Sequence, residues 1–223
     1  KLHKLGHCLV PTSATTTMMK GMTSWFCKRF GPEALLPRRK EPIPYQVVDY
    51  MLQLPNNTTV GKRVLQQWDF LWVSLMALIA TLKGTGFRKD ELVKGEFTMS
   101  RASVVYFLGD STTGITEPTT DEIKMLLATT EKVTMGVAPG PAKPDQTGER
   151  YGNFMAFLRL EHTTTNAVWR MLMMEQQFPV QSKTDRKATP LFGPSLGNAF
   201  THSQLDHLLV DLLMVVSEKT KQD

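Results

Sequence analysis

Residues 104–116, VVYFLGDSTTGIT, gather the residue types used in phosphate binding and nucleophilic attack: two glycines, an aspartate, a serine and threonines after an apolar run. A phosphate-cradling loop needs glycines whose backbone N–H groups can close on the ligand, then a lysine, then Ser or Thr. Gly109, Gly114 and Thr116 keep that spacing, but the lysine position holds Ile115. Pro118 also delays any helix whose N-terminus would face the phosphate. The cation on which such a loop depends is missing.

Gly109-Asp110-Ser111 is similar to the first motif of the Gly-Asp-Ser class of esterases, a likeness confined to this short run. It implies Ser111 as nucleophile and a base from an Asp-x-x-His pair near the C-terminus. The residues three before His162, His202 and His207 are Arg159, Ala199 and Gln204, so no such pair exists. Without an oriented base a serine hydroxyl is an ordinary alcohol. The stretch reads as a polar turn, with Asp110 and Ser111 bonding nearby backbone.

Two further groupings fare no better as chemistry. His3, His7 and Cys8 cluster, with Cys27 beyond, but Gly6 interrupts a helical His pair and no C-x₂-C partner occurs. Asp90-Glu91 and Asp121-Glu122 stand where helix N-termini favour negative charge. The expectation is a protein with no catalytic residue, no metal and no cofactor.

Binding signals are clearer. Lys28, Arg29, Arg38, Arg39 and Lys40 lie near Trp25, Phe26 and Phe30. Farther on, Arg150, Tyr151, Arg159 and Arg170 interleave with Phe154, Phe157 and Trp169. Arginine grips phosphate through paired N–H bonds, and aromatic rings stack on unpaired bases. These nine cationic and tyrosine positions are the candidate nucleic-acid contacts. The alternative places Phe154, Phe157 and Trp169 in the core, with the arginines as surface partners of Glu161 and Glu175.

The charge layout supports binding of an acidic partner. Residues 1–40 carry eight bases against Glu33 alone, a net +7, while the remainder carries 18 bases and 20 acids, a net −2. Two cysteines cannot build a disulfide framework, which points to a reducing compartment. Residues 1–32 hold no acid and many Ser and Thr, a composition that organellar presequences share. The apolar run at 70–82 falls short of the ~20 residues that span a bilayer, so it predicts a buried helix and no transmembrane segment.

The elements that must carry these residues follow from periodicity. A short helix fits 45–54, and a second runs from Thr58 or Thr59 to about Lys83 with Trp68, Trp72, Leu75 and Leu78 on one buried face. Residues 88–95 read as an exposed turn or short helix. Residues 97–108 suit a strand by composition and a helix by spacing. Thr119-Thr120-Asp121-Glu122 has the capping-box pattern for a helix over 120–133. Residues 148–178 read as one long helix or two broken near 162–165, and 179–201 as loop. Ser203 to Asp206 signals a last helix striped by Leu205, Leu208, Leu209, Leu212 and Val216.

The expected fold is mainly α: a basic extended N-terminal arm (1–42), a helical subdomain (43–134), a Pro/Gly-rich linker (135–147) and a C-terminal helical subdomain (148–223), with long loops and at most one short β-hairpin. Thirteen methionines supply adaptable contact surface. The expected function is a non-enzymatic assembly protein that coats or packages single-stranded RNA, as a viral nucleocapsid or filament coat protein does. It would self-associate through its arm and long loops and sit inside the cell or in a virion. The alternative is a structural subunit of a large organellar complex, such as a mitoribosome or respiratory assembly, in an organelle matrix.

Overall fold

In the computed structural model the described residues are 43–87, 89–93, 99–138 and 155–219, with positions 20 and 24. Contacts divide the chain into Lys1–Pro42 and Ile43–Asp223, and every element below belongs to the second unit.

Helix α1 (Tyr45–Leu52) starts after Pro44, whose fixed φ suits a helix entry, and buries Met51 and Leu52. Asn57 takes a positive φ, and the chain enters a hairpin of β1 (Thr58–Val60) and β2 (Arg63–Leu65). Val60 pairs with Arg63, so Gly61-Lys62 is a two-residue turn, and Gly61 supplies the positive φ (59°) that such a turn needs at its first position. A Cβ there would also meet the Asp211 carboxylate at 2.3 Å. The hairpin replaces the first turns of the helix expected from Thr58 onward. Trp68, counted on that helix, lies before it and is 61% exposed.

Helix α2 (Phe70–Thr85) is buried without a break from Trp72 to Thr81. Its apolar residues run around the whole cylinder, as in a core helix. It packs most extensively against α5 (Ala167–Gln177), which starts at Asn166, whose side chain accepts from the Trp169 N–H at 3.0 Å. Leu75 is fully buried at the centre. Leu75→Ala should therefore lose about 2–5 kcal/mol of unfolding free energy, read from urea titration; a loss below about 0.5 kcal/mol would mean the core lies elsewhere.

The short helix α3 (Lys89–Leu92) leads to a 3₁₀ turn (Arg101–Ser103) and then β3 (Val104–Leu108). Strand β3 pairs antiparallel with β4 (Val133–Val137), which pairs with β5 (Ala156–Arg159), so β4 is central. On the side of β3 away from β4, Tyr106 bridges Ile115, so 109–114 is the turn of a chain that doubles back. Between them lies α4 (Thr120–Ala128), opened by the reciprocal Thr119–Glu122 capping box. A short α6 (Lys183–Ala188) and the long α7 (His202–Lys219) complete the unit. The cap of α7 is reciprocal between Thr201 and Gln204, not the Ser203–Asp206 pair read from sequence.

The mainly α expectation is corrected: helices share the described residues with two small antiparallel sheets, a mixed α and β fold. Residues 135–137, expected in a linker, finish the central strand, and 156–159, expected in a helix, form its edge. The physical reason is lateral pairing. Strands of three to five residues are too short for their own period to outweigh a helical one, and ladder hydrogen bonds come from distant partners.

Candidate nucleic-acid interface

Arg170 stands on the first turns of α5 beside the end of α1. Its Nε donates to the Thr164 carbonyl at 2.6 Å and its Nη2 to the Leu52 carbonyl at 2.5 Å. No carboxylate among the described residues pairs with it. Burial without an acid pulls its guanidinium down to about 10, leaving it charged at neutral pH. Arginine carries five N–H donors, so three remain beyond those two bonds.

A cleft of about 340 Å³ opens at this guanidinium. One wall is Leu52, Gln53, Leu54 and Pro55 at the end of α1, and another is Gln67, Trp72 and Val73 at the start of α2. Trp169, Met173 and Gln177 of α5 close it. Asn56 accepts from the Gln67 N–H at 2.8 Å and fixes the loop that carries this wall. The His162 ring meets the Trp169 indole edge-on at 5.6 Å.

Of the sequence candidates, Arg170 lines this cleft. Arg159 is exposed on the edge strand β5 and does not line it. The two do not share an element: Arg159 ends β5 and Arg170 lies on α5. Lys28, Arg29, Arg38, Arg39, Lys40, Arg150 and Tyr151 lie outside the described residues, as do His3, His7, Cys8 and Cys27. Phe157, weighed as a core residue, is 61% exposed, with its ring 6.0 Å from that of Phe107. Ser111 sits in the turn after β3, where its Oγ accepts from the Thr113 N–H at 3.1 Å. Gln53, Gln67 and Gln177 were not singled out in the sequence, and Trp72 was read only as a core residue; carboxamides and core tryptophans carry no local binding motif.

A second polar cluster is closed to solvent. Arg186 holds Glu175 through two parallel bonds, Nη1 to Oε2 at 3.0 Å and Nη2 to Oε1 at 2.9 Å. It also donates to the carbonyls of Val180 and Arg101. Arg101 Nη1 lies 3.0 Å from Glu175 Oε2, close enough to pair as charges but misaligned for a hydrogen bond. All three residues have no exposed surface. Tyr106 shares the site, and burial, then the Glu175 charge, pushes its hydroxyl far above the usual tyrosine range. Glu175, weighed as a surface partner for the body arginines, is thus the buried acid joining α5 to α6 and the 3₁₀ turn.

The described residues therefore define a mixed α and β body with a cleft between α1, α2 and α5 that Arg170, Trp72 and Trp169 help to line. Compared with family models, curated proteins and solved structures, the chain matches none. No helix of the described residues is long and apolar enough to cross a membrane.

Proposed function

We propose that the protein coats or packages single-stranded RNA, as a nucleocapsid or filament coat subunit does, without catalysing a reaction. The observation that carries this is Arg170: a partly buried cation held in place by two carbonyls, with no acid of the described body to neutralise it. An anion at that position gains a charge-assisted contact to a guanidinium already fixed in place. The net +7 of residues 1–40 adds a sequence-tolerant attraction for phosphates. Copies would associate through the arm and loops, inside the cell or in a virion.

A second reading, a structural subunit of an organellar complex, draws on a different observation. The α1 side chains of Tyr45 and Tyr50 and the α7 side chains of Val210 and Met214 are all more than half exposed. Such apolar exposure suits a protein neighbour. Co-purification with many unlike chains would favour it; bound RNA and self-assembly favour the first.

The direct test is single-stranded RNA binding across a salt series. Each neutralised phosphate releases counterions and contributes about 0.7 to the slope of log affinity against log salt. Deleting residues 1–40 should lower both affinity and slope. Changing Arg159 and Arg170 to Ala should reduce the slope by about 0.7 for each lost contact, with sequence preference unchanged. Equal, weak binding by the intact chain and both variants at low salt would eliminate RNA coating.

A further inference from the structure

The cleft at Arg170 offers more than charge. Gln53, Gln67 and Gln177 are among its lining residues, and each side chain ends in a carboxamide with a donor group and an acceptor side by side. Trp72 and Trp169 also line it, Trp72 almost wholly buried and Trp169 half-buried. Its volume, about 340 Å³, is at the small end of the range for ligand sites, about 300–1,000 Å³. Arg170 is the one charged residue in the lining. The ligand that matches is small, planar, singly anchored through an anion, and edged with alternating donors and acceptors.

We infer that the cleft takes one unpaired nucleotide, its phosphate on Arg170 and its base against Trp169 among the three carboxamides. For a nucleotide within a strand the inference rests on the RNA-coating reading; a free nucleotide has the same chemistry. The Arg170 N–H groups left by Thr164 and Leu52 meet the phosphate oxygens. The base enters edge-first, so its hydrogen-bonding edge must be free. A base-paired strand is excluded, because its edges are spent and its stack is closed. The carboxamides can rotate to suit different bases, so the cleft selects single strands over duplexes more than one base over another. One nucleotide per subunit would then be held out of the stack, with the strand continuing past the exposed mouth.

The test uses the intact chain and reads tryptophan emission and calorimetry. Uridine monophosphate should quench emission and bind, and a short oligouridylate should displace it. Uridine and inorganic phosphate, each lacking one half of the ligand, should bind about tenfold or more weakly. Arg170→Gln should weaken mononucleotide binding by about tenfold or more. That variant also loses two carbonyl bonds, so Gln177→Glu is the second. It leaves those bonds intact, sits on an exposed position and puts a negative charge into the lining of the cleft, which repels an anionic ligand wherever in the cleft it sits; it should cost about tenfold as well. Unchanged mononucleotide affinity in Gln177→Glu, or no binding by the intact chain, overturns the inference. If the mononucleotide binds through Arg170 but oligouridylate never competes, the cleft stands and RNA coating falls. If oligouridylate binds equally to all three chains and the mononucleotide to none, RNA coating stands on the arm and the cleft inference falls.

Discussion

Glu175→Ala should lower the unfolding free energy by about 3–5 kcal/mol, one of the largest losses available to a single substitution in the described body. The change leaves Arg101 and Arg186 as uncompensated cations with no exposed surface. Arg186 would keep its bonds to the carbonyls of Val180 and Arg101 but lose both bonds to the carboxylate. Glu175→Gln should fall in the same direction, because it keeps shape and removes charge. Replacing Arg101, Glu175 and Arg186 together by apolar residues of similar volume should recover most of the loss, since the desolvation cost disappears with the charges. Urea midpoints of the four chains decide it. A Glu175→Ala chain within about 0.5 kcal/mol of the parent would show that the two arginines find other partners.

Gly193→Ala carries the second large effect. A Cβ at Gly193 would stand 1.6 Å from the Asn198 carbonyl oxygen and 2.8 Å from its carbon. Both are backbone atoms, so no side-chain rotation relieves the clash. The turn that brings Ser195 opposite Asn198 would have to open. Opening it pulls the Gly193 N–H from Ser74 Oγ, a 2.8 Å bond buried against α2. Overpacking and a lost buried bond together should cost about 3 kcal/mol or more. Ser74→Ala removes the bond alone and should cost about 1 kcal/mol. Thermal unfolding of both variants separates the two contributions; a Gly193→Ala chain as stable as Ser74→Ala would mean that the segment yields freely.

How much of this was legible in the sequence depends on how local the cause is. The apolar run of α2, the Thr119–Glu122 cap and the leucine stripe of α7 are decided within a few turns of chain, and their residues announce them. The β1–β2 hairpin was hidden because Val64, Leu65 and Trp68 fall three or four apart and imitate a helix face, although Gly61 breaks the run. Strand β4 gains its hydrogen bonds from β3 and β5, and β5 lies beyond a segment dense in Pro and Gly that reads as a break in the chain. Arg170 was recognisable as a candidate by type and by its neighbour Trp169. That it lacks an acid was not, because Glu175, five residues on, looked available as a surface partner. Only the buried arginines from two other segments take Glu175 away. Arg186 and Arg101 gave no sign of burial, since an arginine enters a core only when a distant acid is waiting.

The bond between Ser74 and Gly193 spans 119 positions of chain, and those between Leu52 and Arg170 and between Lys89 and Asp206 span nearly as many. The most apolar helix of the described body is therefore made early and covered late. At about 5–20 residues per second, a ribosome needs about 6–24 s to move from Ser74 to Gly193. Until α5 follows it out of the exit tunnel, and after that until the 193–198 turn arrives, α2 lacks part of its cover. Nascent chains on one messenger then present the same sticky helix to each other. The order of synthesis should make α2 a binding segment for chaperones at the tunnel mouth, an outcome that cross-linking of ribosome-bound nascent chains would read.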